Sequence, residues 1–109
     1  MSVTVAMAPN SVIRVSVPDT IDSGGTWSLS DDEAGTLTCD TGNTLDANNE
    51  CSPDNRVRIY THGSRISVQK ITYTTSDGSY GICNIVTIVP HDHSDMYRGG
   101  PAYGVYRST

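Results

Sequence analysis

The chain has 109 residues and a net charge of −5, with six Tyr, one Trp and no Phe. That length supports one domain with a modest core. Seven Lys and Arg in total, with no basic run, exclude nucleic acid as the main partner, and no stretch of 18 apolar residues could cross a membrane as a helix.

The opening residues, MSVTVAMAPNSV, lack the charged start and long apolar run of a secretory leader, so none is expected in this form. Val3, Val5 and Met7 alternate until Pro9-Asn10 breaks the run. Ile13, Val15 and Val17 then share a face, with Arg14 and Ser16 opposite, and Pro18-Asp19 ends that strand. Trp27 and Leu29 alternate with serines, which predicts a strand with one buried face and Trp27 in the core. Asp31-Asp32-Glu33 marks a loop, and Leu37 and Cys39 point inward from the strand after it. Residues 40–55 form the longest polar stretch. Val57, Ile59 and Thr61 mark the next strand, and His62-Gly63-Ser64 turns the chain.

The stretch ITYTTSDGSYGICNIVTIVP, residues 71–90, reads as strand, turn, strand. Ile71, Tyr73 and Thr75 fall on one face. Ser76-Asp77-Gly78-Ser79 is turn chemistry, because Asp bonds its own backbone and Gly accepts positive φ. A β-branched run follows from residue 82 to 89, and Pro90 closes it. Either Ile85 or Val86 must face a core. Helical periodicity is absent, so about seven to eight short strands in an all-β, antiparallel sandwich or barrel are predicted. Residues 1–90 make the domain, and 91–109 an extended C-terminal tail.

Cys39 and Cys51 bracket a polar loop and could be bridged across it. Reduced thiols throughout are the open alternative in a reducing compartment. Cys83, inside the last strand, reads as a small buried hydrophobe. No CxxC is present to suggest zinc.

The segment from Val57 to Val89 resembles the C-terminal half of bacterial Ig-like and cadherin-like tandem repeats. The resemblance rests on Tyr73-Thr74-Thr75-Ser76-Asp77-Gly78, then Gly81, then Ile85-Val86-Thr87-Ile88-Val89, with Val57-Arg58-Ile59-Tyr60-Thr61 as the preceding strand. It implies an Ig-like sandwich and no particular activity. In size and style the chain also resembles the phage proteins that decorate and cement capsids. That likeness implies a virion location and, as partner, a major capsid protein or neighbouring copies in a homo-oligomeric assembly. A bacterial surface or secreted adhesion module, with calcium between repeats, is the alternative.

Candidate chemistry is sparse. His91, Asp92, His93 and Asp95 form the one dense ligand-type cluster, with His62 as a further donor if the fold allows. Two His without a third spaced ligand read as a polar loop, so no metal and no cofactor is expected. Asp31, Asp32, Asp40 and Asp77 are oxygen donors suited to calcium, without EF-hand spacing. No GxSxG or HExxH occurs, and Cys83 with His62 is a poor nucleophile–base pair because the thiol sits among apolar neighbours. A non-enzymatic interaction module is therefore expected. Its partner-binding residues are Tyr97, Arg98, Tyr103, Val105, Tyr106 and Arg107: a segment with three Tyr and three Gly cannot build its own core, and Tyr and Arg are favoured at interfaces.

Overall fold

A computed structural model describes residues 2–88, with the backbone alone at Ser79. Within it the chain forms β1 (Ser2–Met7), β2 (Val12–Ser16), β3 (Thr26–Leu29), β4 (Gly35–Cys39), β5 (Thr44–Leu45), β6 (Cys51–Ser52), β7 (Val57–His62), β8 (Val68–Thr75) and β9 (Gly78–Thr87). No helix occurs among the described residues. One sheet has the order β1-β9-β8-β3, a second the order β2-β7-β4, and β5 pairs with β6 in a small ribbon.

The turns follow the sequence signals. Asn10, after Pro9, takes a φ of 63°, which asparagine tolerates better than most residues. Gly78 takes a φ of 124° and closes the β8–β9 hairpin, where Thr75 pairs with Gly78. The Thr75 hydroxyl donates to Gly78 O at 2.9 Å and lies 2.7 Å from Asp77 Oδ1. A register shift at Tyr73 and Thr74 places a β-bulge just inside this hairpin.

The two main sheets share one core. Met7, Val15, Tyr60, Ile71 and Ile85 form its buried cluster, from β1, β2, β7, β8 and β9 respectively. Val5, Ile13, Trp27, Leu29, Leu37 and Cys83 pack against it. This two-layer arrangement is consistent with the predicted sandwich. Ile85 is fully buried while Val86 is 41% exposed, so Ile85 is the core-facing residue of the pair. Trp27 is half-buried, meets Tyr73 edge-to-face at 4.9 Å and donates to Asn55 O at 2.6 Å.

Four features depart from the sequence reading. First, the architecture is not wholly antiparallel: β1 runs parallel to β9, from Ser2 opposite Ile82 to Met7 opposite Thr87. Second, two extra short strands, β5 and β6, lie in the stretch read as loop. They are held by Asp46, whose Oδ1 accepts from Asn48 N and Glu50 N at 2.9 and 3.0 Å. Third, His62, read as part of a turn, is the last residue of β7 and lies buried on the same side as Arg58 and Tyr60, with Val57 buried as well; Tyr60 is fully buried between Ile13 and Leu37. Fourth, Val3 is 53% exposed. Cys39 and Cys51 form a disulfide, which resolves the alternative left open above.

Candidate functional site

The expected partner-binding residues Tyr97, Arg98, Tyr103, Val105, Tyr106 and Arg107 lie outside the described residues, as do His91, Asp92, His93 and Asp95. Among the described residues no three His, Cys, Asp or Glu side chains gather into a metal-sized group. Three of the four oxygen donors weighed for calcium have separate local tasks, and Asp32 is exposed. Asp31 pairs with Arg65 at 2.9 Å, Asp40 pairs with Arg14 at 2.8 Å, and Asp77 lies against the Thr75 hydroxyl.

Cys83 and His62 do not meet as nucleophile and base. Burial pushes the Cys83 thiol up, which keeps it protonated. His62 instead contacts Thr87, four residues farther along β9. Its ring is 1% exposed, with Nδ1 2.8 Å from the Tyr60 hydroxyl and Nε2 2.7 Å from Thr87 Oγ1. Thr87 Oγ1 donates its own hydrogen to Ser67 O at 3.0 Å, so it must accept from His62 Nε2–H. Nδ1 is then the acceptor for the Tyr60 hydroxyl. Gln69 completes the chain, with Nε2 donating to Asp31 O and, at 3.5 Å, to Tyr60, while Oε1 accepts from Asp31 N at 2.8 Å. This fixes His62 neutral, and burial lowers its pKa in agreement. The same burial raises the Tyr60 pKa. A histidine with both nitrogens committed inside the core ties sheet to sheet; it is not poised to move a substrate proton.

A second polar cluster occupies the other end of β7. Asn55 is 4% exposed and uses its whole amide: Oδ1 accepts from Cys51 N and Arg58 Nη2, and Nδ2 donates to Ser23 O and Gly25 O. Arg58, 6% exposed, donates from Nη2 to Asn49 O at 3.1 Å as well. Its Nε is enclosed and has no hydrogen-bond partner, and no carboxylate pairs with it among the described residues. Burial lowers its pKa. A guanidinium still stays charged, so Arg58 is a buried cation lacking an anion.

Arg58 lines a broad concavity. β3 and β4 are the outer strands of their sheets and lie on the same side of the sandwich. Between them runs a groove of about 700 Å³, bordered by Trp27, Leu29, Leu37, Leu45, Arg58 and Asp32. Trp27, Leu29 and Leu37 are half-buried, and Leu45 is exposed. A smaller cleft of about 110 Å³ lies against Cys83 and Tyr80. The groove was not legible in the sequence. Its floor mixes apolar residues from two distant strands, and its cation sits in a run, Val57-Arg58-Ile59-Tyr60, whose apolar alternation points to the opposite face. Compared with family models, curated proteins and solved structures, the chain matches none.

Proposed function

We propose that this protein is a non-enzymatic Ig-like module that decorates a capsid shell, binding and stabilising it as a cement protein. Its partner is the major capsid protein or neighbouring copies of itself, and residues from Tyr97 to Arg107 supply the contacts. The strand arrangement supports the Ig-like part. If the seven strands of the two main sheets are lettered A to G, sheet one holds C, F and G with A moved alongside, and sheet two holds B, E and D. Trp27 on the third strand, packed against Tyr73, matches the place where such sandwiches carry a Trp.

The observation that carries the interaction role is the groove. Two strands that are outermost in their sheets among the described residues flank half-buried Trp27, Leu29 and Leu37, while His62 and Tyr60 are spent on internal bonds. Purification of the shell from producing cells tests the reading. The protein should copurify in stoichiometric, many-copy amounts, and its absence from intact shells would end the proposal.

The disulfide favours a second reading, a secreted or cell-surface adhesion module, because such bonds persist in oxidising compartments. The two readings separate by fractionation: a surface module stays with the cell envelope or medium in cells that make no shells.

A further inference from the structure

We propose that the groove between β3 and β4 receives residues 91–98 of a second copy of this chain, laid in as an extended strand. This rests on reading the segment beyond β9 as a docking element, and it names the surface that element meets.

Three properties of the groove select the occupant. Among the described residues β3 pairs only with β8 and β4 only with β7, so both outer edges can accept a strand. The floor is apolar in the middle, with Trp27, Leu29 and Leu37. The ends differ in charge. Arg58 sits opposite Cys39 at one end with an enclosed, unpartnered Nε; Asp32 lies at the other, before Gly35. A fitting strand therefore brings a carboxylate to Arg58, an apolar side chain to the middle and a cation to Asp32.

The sequence HDHSDMYR, residues 91–98, has that order. In an extended strand Asp92, Ser94, Met96 and Arg98 share one face. They span ~20 Å, enough to run the groove from beyond Cys39 to Asp32. The acid comes first, so the strand must enter at the Arg58 end.

That direction points to another copy. β9 finishes at the opposite end, where Thr87 bonds Ser67 and His62, and Gln69 two residues from Ser67 holds Asp31. From there, a chain's own Asp92 would have to travel ~13 Å back along the strands and cross two strand spacings of ~5 Å each. The five residues from Thr87 to Asp92 reach ~17 Å fully extended, with nothing left for the bend around β3. A neighbouring copy meets no such limit.

Charge exchange in the full-length chain tests this by sedimentation equilibrium. The parent should self-associate in a concentration-dependent way. Asp32→Lys and Arg98→Glu should each weaken association at least fivefold, and the double variant should return to within about twofold of the parent. Asp32 is exposed, so its replacement leaves the fold intact, and Leu45→Glu, at another exposed groove position, should weaken association with an unchanged circular dichroism spectrum. A chain that stays monomeric, a double variant no better than the singles, or indifference to both Asp32→Lys and Leu45→Glu overturns the proposal. A monomeric chain that still decorates shells overturns it while the capsid reading stands. A self-associating chain with charge rescue that never joins a shell does the reverse.

Discussion

Both ring nitrogens of His62 are occupied, so a second ring proton would have to break the bond from Tyr60. Burial lowers the folded pKa, while the unfolded chain keeps a value near 6.5. Above that pH both states are neutral and the full stability is present. As pH falls below it, the unfolded state takes up a proton that the folded state refuses, and stability declines until the folded pKa is reached. The melting temperature should therefore fall between pH 7.5 and pH 5, and less steeply in His62→Gln; parallel curves for the two proteins would clear His62 of that role. Tyr60 depends on a missing side chain. A Cβ on Gly35 would strike the Tyr60 ring and hydroxyl, and one on Gly25 would strike Tyr73. Gly35→Ala should destabilise by about 2–4 kcal/mol, through overpacking and displacement of the hydroxyl from His62. Chemical denaturation measures this, and a parent-like midpoint would mean Tyr60 can shift without losing its bonds.

At the level of strands, alternation located the elements well and assigned their faces unevenly. In β8 the alternation of Ile71 and Tyr73 marks the core side, although Val68 is 74% exposed and Gln69 fully buried; in β9 the β-branched run left Ile85 and Val86 open, and the fold chose Ile85. In β7 the pattern misleads. Arg58, Tyr60 and His62 turn inward because their polar atoms find partners on neighbouring loops and strands, and no count of hydrophobic residues reveals those partners in advance. The β5–β6 ribbon was equally hidden, since two-residue strands secured by Asp46 and a disulfide leave no periodic trace. The facing of β9 gives a sharp contrast. Ile85→Asp should unfold the domain, because a buried unpaired carboxylate costs several kcal/mol, while Val86→Asp should melt within a few degrees of the parent. Similar melting of both variants would mean that β9 is not central to the core.

For the molecule as a whole, the buried cluster of Met7, Val15, Tyr60, Ile71 and Ile85 is drawn from residues 2–88. A chain ending at Ser94 should therefore keep the parent's melting temperature at dilute concentration, yet lose most of its association with an assembly. Tyr103→Ala with Tyr106→Ala should lose part of it, each ring contributing on the order of 1–3 kcal/mol when well buried. Shell binding measured by cosedimentation checks both variants, and undiminished binding by the shortened chain would move the contact surface onto the sandwich. The docking role was legible only as composition, in Tyr and Arg recurring among Gly. The groove needed three dimensions, because Trp27, Leu37 and Arg58 come from strands that only the fold brings together.

The side-by-side, same-direction pairing of β1 and β9 also decides how the protein carries mechanical load. Tension applied at Ser2 and at Ile88 pulls two neighbouring strands past each other along their length. All six register pairs, from Ser2–Ile82 to Met7–Thr87, then resist together, with Ile88 N to Met7 O at 2.8 Å adding one more bond. An antiparallel pair pulled from one end opens one bond at a time instead. Single-molecule stretching between these two points should show one high-force rupture. Val5→Pro, which removes a ladder donor in the middle of β1, should lower that force sharply. Rupture at equal force in both proteins would mean that another part of the fold bears the strain.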